Sequence, residues 1–172
     1  MKETFTIITF FISTILFGQN KALKSPFSPG YSIIILDSIP SNDIKNDFII
    51  NDGFGGFTLS FDSNGVFRRN SFSCKGHIAL DSGIWKIENK AHLLLLSKTD
   101  SLKFGLVKYG GYYYLFSPEQ KEQFIKDLTK QIYSSSYKKY YKVSIKRADY
   151  FLNRILGNKY FTKRIIAPIT GT

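Results

Sequence analysis

The chain has 172 residues, with 24 Lys and Arg against 13 Asp and Glu and a formal net charge of +11. That length bounds it to one domain with a real core, and an apolar share of 43%, with 16 Phe and 11 Tyr, excludes a disordered polycation. A single cysteine, Cys74, excludes an internal disulfide framework and a paired-cysteine zinc knuckle.

Met1-Lys2-Glu3-Thr4 precedes an apolar run from Phe5 to Phe17, softened only by Thr6, Thr9, Ser13 and Thr14. The run is shorter than the about 20 residues of a membrane span. It fits the apolar centre of a secretory signal, with Lys2 as a minimal basic start. Cleavage is expected after Gly18, with Ala22 as second choice; a retained anchor helix is the alternative. No cysteine follows the run, which argues against a lipid-anchored lipoprotein. The leader's end, Leu16-Phe17-Gly18-Gln19, resembles that of exported proteins of Bacteroidetes-type bacteria, which implies a periplasmic or secreted location. Losing residues 1–18 removes one Lys and one Glu and leaves the charge at +11.

Residues 19 to about 52 are irregular, with turns at Ser25-Pro26 and Ser28-Pro29-Gly30. Tyr31 to Leu36 reads as a buried strand, Asp37 to Asp47 as a loop, Phe48-Ile49-Ile50 as a short strand and Asn51-Asp52-Gly53 as a turn. From Gly55 to Phe116 the pattern is an antiparallel meander. Phe57, Leu59 and Phe61 alternate with Thr58 and Ser60, Ser63-Asn64-Gly65 makes a hairpin turn, and Val66 to Phe72 returns. Asp81-Ser82-Gly83 reads as the next turn, followed by strands at Ile84–Ile87, Ala91–Leu96, Leu102–Tyr109 and Tyr112–Phe116. Ser117-Pro118-Glu119-Gln120 then starts a helix whose apolar face is Phe124, Ile125, Leu128 and Ile132. A second helix is expected from about Lys139 to Leu156, with Tyr141, Ile145, Ala148, Leu152 and Ile155 as its stripe. The last stretch, from Lys159 to Thr172, reads as a strand or a frayed tail. The expected fold is α+β: an antiparallel β-meander forming a barrel or curled sheet, followed by two C-terminal helices. The chain divides into a signal peptide (1–18), a β-meander domain with the first C-terminal helix (19–132) and a basic helical C-terminal extension (133–172).

The order Phe57-x-Leu59-x-Phe61, Asn64-Gly65-x-Phe67, Gly83-x-Trp85-x-Ile87, Leu93-x-Leu95 resembles small secreted lipocalin-like barrels of Bacteroidetes-type bacteria. The resemblance covers about residues 55–116 and implies a binding or structural module, with Trp85 packed into a barrel core.

Candidate chemistry is thin. Cys74, His77 and His92 are the soft ligands, and they suit zinc or copper if they share one face. No fourth ligand is evident, so they read as a buried free cysteine and two surface or loop histidines, with no metal or cofactor implied. No serine stands in a Gly-x-Ser-x-Gly elbow. Asp62, Asp81 and Asp100 fall at expected turns, where Asp is favoured for backbone reasons, and no catalytic motif is found. Gly53-Phe54-Gly55-Gly56 lacks the Lys-Ser/Thr of a phosphate loop and reads as a strand-entry turn.

Charge is the strong asymmetry. Residues 133–172 hold nine cations against Asp149 alone, a net +8, which leaves +3 for residues 19–132. Lys138, Lys142 and Lys146 recur every four residues, Arg147 follows, and Tyr133, Tyr137, Tyr140, Tyr141 and Tyr150 are interleaved with them. This composition suits an anionic membrane surface, with nucleic acid the less available partner for an exported protein.

Two function readings follow. The first is an exported, non-enzymatic module that binds a small apolar ligand or a protein partner in a lipocalin-like cavity lined by Phe57, Phe61, Trp85, Leu95, Phe104 and Tyr113. The second is an envelope-associated protein that binds anionic lipid or polymer through Lys138, Lys142, Lys146 and Arg147. Oligomeric state is open in both.

Overall fold

The computed structural model describes residues 23–24, 32–35, 38–51 and 53–165. The expected leader and its cleavage site, the turns at Ser25-Pro26 and Ser28–Gly30, and residues 166–172 lie outside the described residues. Strands β1 (Leu23–Lys24) and β2 (Ser32–Ile35) precede a single helical turn, α1 (Ser41–Ile44). The meander follows as β3 (Asn46–Asn51), β4 (Gly55–Phe61), β5 (Val66–Ser73), β6 (Gly76–Glu88), β7 (His92–Ser97), β8 (Ser101–Tyr109) and β9 (Tyr112–Phe116). A 3-10 turn at Pro118–Gln120 leads into α2 (Lys121–Ile132), α3 (Ser135–Val143), α4 (Ile145–Leu156) and a last strand, β10 (Phe161–Arg164).

Strands β3 to β9 pair consecutively and antiparallel, and β10 enters between β9 and β3 to close an eight-stranded barrel. The β10–β9 ladder runs from Phe161↔Leu115 to Arg164↔Tyr112, whereas the β10–β3 seam is a single bridge, Thr162↔Ile49. The Thr162 hydroxyl donates to the Ile49 carbonyl at 3.2 Å, which adds one side-chain bond to that seam. β8 is long enough to serve three neighbours: β7 along its first half, β2 at Val107–Lys108, and β9 on the other edge.

Local chemistry explains most turns. Asp62 Oδ1 accepts from the amides of Asn64 and Val66, both at 2.9 Å, and Gly65 takes a positive φ to close the β4–β5 hairpin. The expected turn at Asp81-Ser82-Gly83 is not there. β6 runs straight through it, and the chain reverses earlier, at Cys74-Lys75. The reason for Gly83 is non-local: a Cβ there would overlap the Leu96 carbonyl oxygen of the neighbouring strand. The loop expected over Asp37–Asp47 contains α1 and the start of β3. The expected second helix is two helices, because Ser144 is extended (φ −167°, ψ 132°) and separates α3 from α4.

Two apolar clusters lie on opposite sides of the β8–β9 ladder. Inside the barrel, Phe48, Leu59, Phe61, Phe67, Leu93, Leu95, Leu106, Tyr113 and Leu115 pack together, with Ile39 and Ile44 of the α1 region closing one end. Outside it, Val107, Tyr109, Tyr114 and Phe116 are covered by Phe124 and Leu128 of α2, Tyr137 of α3 and Ala148, Leu152 and Leu156 of α4. Alternation along β9 assigns its residues to the two sides, as period-two geometry requires. The boundary expected at residue 132 falls inside this outer cluster, which runs on to Tyr160.

Candidate functional site

Five of the six expected cavity residues meet inside the barrel. Phe61, Leu95 and Tyr113 are buried, and Trp85 and Phe104 pack half-buried against the same cluster. Phe61 meets Phe48 and Trp85 edge-on, with ring centroids 5.9 and 6.0 Å apart, and Phe104 meets Phe161 at 6.2 Å. The Trp85 indole N–H donates to the Asp62 carbonyl at 3.2 Å, which fixes the ring to the β4–β5 turn. These side chains pack against one another in a single cluster. Phe57 is the exception: it shares the pleat phase of Leu59 and Phe61 but lies beyond the enclosed level and is 43% exposed.

The end of the barrel that α1 closes is latched by polar groups. The Tyr113 hydroxyl donates to Asp43 Oδ2 at 2.7 Å, and Lys163 Nζ donates to the carbonyls of Asp43 and Lys45. The ammonium also sits 5.6 Å from the Phe48 ring centroid. Burial, and then the Asp43 carboxylate, raise the Tyr113 pKa; burial lowers that of Lys163 against the attraction of Asp43. The arrangement ties β9, β10 and α1 together and uses the lysine's donors on backbone carbonyls.

The soft ligands are dispersed. Cys74 is exposed on the β5–β6 turn rather than buried, and His77 lies nearby, with its ring 6.0 Å from that of Phe72. His92 pairs with Glu88, eleven residues further along β6 than His77. Among the described residues no group of three His, Cys, Asp or Glu side chains is placed to hold a metal ion. Asp62 and Asp100 serve turns, whereas Asp81 lies within β6 and faces Arg69 at 3.7 Å.

The basic side chains occupy the outer face of the helical layer. Lys138 and Lys142 lie on α3 and Lys146 and Arg147 on α4, all exposed, with the break at Ser144 interrupting the expected four-residue stripe. Exposed apolar groups share this face: Val143 at 62%, and Tyr140, Ile145 and Tyr150. Asp149, the sole acid of residues 133–172, points the other way. It is 6% exposed and accepts from the Gly111 amide at 3.1 Å, which locks α4 to the β8–β9 turn. Gly110 in that turn has φ +56°, and a Cβ on it would come within 2.5 Å of Asp149 Oδ1, so glycine is required twice over.

Tyr140, Lys146, Arg147, Tyr150, Phe151 and Arg154 line a hollow of about 400 Å³ between α3 and α4, with the rings of Tyr140 and Phe151 4.9 Å apart. A groove of about 560 Å³ adjoins it, shares Tyr150 and Arg154, and extends to Tyr112, Asn153 and Arg164. Burial raises the Tyr112 pKa, and the Arg164 guanidinium opposes that rise. Tyr150, Arg154 and Arg164 were not among the expected site residues. Spacing on α4 carries a signal for the first two, since 146, 150 and 154 recur at helical intervals; nothing local marks Arg164.

The chain matches no protein family, no curated protein and no solved structure. No helix among the described residues is long and apolar enough to cross a membrane.

Proposed function

We propose that the chain is an exported, non-enzymatic, envelope-associated module that holds an anionic lipid surface through α3 and α4. The observation that carries this reading is the inward turn of Asp149, which leaves Lys138, Lys139, Lys142, Lys146 and Arg147 on an outer face with no acid of that region among them. Exposed Val143, Ile145 and Tyr150 favour a bilayer over a soluble polymer, because an interface rewards apolar groups set among cations. The rival reading, a small apolar ligand inside a lipocalin-like barrel, has less support, because five of the six residues meant to line that cavity pack against one another and Phe57 stands outside their cluster.

Co-sedimentation with vesicles tests the proposal. Binding to phosphatidylglycerol-rich vesicles is expected at low salt, falling steeply toward physiological ionic strength, with none to phosphatidylcholine. At about 1 kcal/mol per cation, Lys142→Glu, Lys146→Glu and Arg147→Glu together weaken binding about a hundredfold or more. Equal binding to neutral vesicles, or indifference to the triple reversal, overturns it.

A further inference from the structure

We infer that the groove between α4 and the β9–β10 ladder is a headgroup site, which takes the phosphorylated, hydroxyl-bearing headgroup of an anionic lipid. The inference rests on the lipid-surface reading and goes beyond it by naming which lipid chemistry is selected. Arg154 reaches the groove from α4 and Arg164 from β10, so two guanidinium groups come to it from different elements. Planar guanidinium forks match a phosphate better than ammonium groups do, and they bind it with geometric specificity. Arg164 is exposed and forms no ion pair with a carboxylate among the described residues.

Phosphate alone does not account for the rest of the lining. Tyr112 and Asn153 bring hydroxyl and amide groups, which suit a ligand rich in hydroxyls. Asn153 Oδ1 is buried in the wall and meets no hydrogen-bond donor. At about 560 Å³ the groove accommodates a sugar or polyol unit.

The neighbouring hollow identifies the carrier as a lipid. Tyr150 and Arg154 belong to both spaces, and beyond them the hollow presents the rings of Tyr140 and Phe151. A ligand that spans the two needs a charged, hydroxylated part joined to an apolar part. Tyr150, 63% exposed, is the residue such a ligand would cover in passing from one to the other.

The test uses the full chain, soluble myo-inositol 1-phosphate, and phosphatidylcholine vesicles doped with equal mole fractions of either phosphatidylinositol or phosphatidylserine, which is anionic but carries no headgroup hydroxyl. The expected result is at least about tenfold tighter binding to phosphatidylinositol, with inositol 1-phosphate displacing the protein from those vesicles. Arg164→Lys, which keeps the charge and loses the guanidinium fork, should erase the preference with phosphatidylserine binding nearly unchanged, and Tyr112→Phe, which loses only a hydroxyl, should weaken it from β9. Equal binding to both vesicles, with no heat on titrating inositol 1-phosphate, overturns the headgroup site and leaves the lipid-surface reading standing. Binding of inositol 1-phosphate without any vesicle binding overturns the lipid source and the lipid-surface reading together, and assigns the groove to a free sugar phosphate. Preference for an oligomer of glucuronate over inositol 1-phosphate also overturns it, in favour of an acidic glycan.

Discussion

The inner and outer faces of β8 and β9 carry cores of different chemistry. Inward, Leu106, Tyr113 and Leu115 join a set dominated by leucine and phenylalanine, and closure of the barrel shields them on every side. Outward, Tyr109, Tyr114 and Phe116 meet Phe124, Tyr137 and Tyr160, an aromatic set that only the helices cover. Tyrosines bring hydroxyls into that cover: Tyr109 and Tyr137 bond to each other at 3.2 Å and Tyr160 donates to Asp127 at 3.2 Å, whereas the Tyr114 hydroxyl is buried without a hydrogen-bond partner among the described residues. The comparison explains where the charge sits. A barrel with an apolar stripe on its outer wall needs a layer to bury it, and that layer has a second face, on which the cations collect.

Because both cores use the same two strands, they should fail together. Phe67→Ala inside the barrel and Phe124→Ala in the helical layer are each expected to cost about 3–5 kcal/mol, in a single denaturant transition. Two transitions in the Phe124→Ala protein would break the idea of one cooperative unit. Next in size is the joint between the layers. Gly110→Ala should cost about 1–3 kcal/mol through its positive φ and its crowding of Asp149. Combining it with Asp149→Ala in a double-mutant cycle should recover the crowding part, and strict additivity would show that the carboxylate is not the obstacle.

A smaller effect belongs to the helical side alone. Ser134 Oγ accepts from the Tyr137 amide at 3.1 Å and caps α3, so Ser134→Ala should cost about 1 kcal/mol. Amide exchange that quickens in α3 and not in β4 or β5 would confirm that the loss is local. One further effect is confined to alkaline pH. Burial, and then Asp127, push the Tyr160 pKa up from 10.0 to about 12. The folded chain therefore keeps a proton that the unfolded chain loses, so this stability is complete below pH 10.0 and is lost as pH rises toward about 12. Tyr113 acts in the same sense, whereas Lys163, with its pKa lowered by burial, acts in the opposite sense below its unfolded value of 10.5. Thermal melts across this range should fall less steeply for Tyr160→Phe than for the parent.

Sequence patterning was legible where the deciding contacts are local. Alternation of Phe57, Leu59 and Phe61, the Asn64-Gly65 hairpin and the Ser117 helix start all appear close to where the residues predict. It misled where one residue type serves two purposes. Asp81-Ser82-Gly83 has turn composition, yet Gly83 is there because β7 passes too close for a Cβ. The stripe from Tyr141 to Ile155 runs through Ser144 at helical intervals, so nothing in its period announces the break that reorients α4 and buries Ala148, Leu152 and Leu156. The candidate site was half visible: Lys146 and Arg147 could be named from the charge run, but Arg164 reaches the adjoining groove only through strand pairing.

Composition and order were enough to locate the net charge of +11 in the last 40 residues and to call for an antiparallel meander followed by helices. They could not say that Phe161–Arg164 closes the barrel, because a four-residue strand owes its existence to the edges of β9 and β3 rather than to its own propensity. Nor could they say which way Asp149 faces. That orientation comes from the amide of Gly111, 38 residues away in the chain, and it leaves the exposed surface of α3 and α4 without an acid.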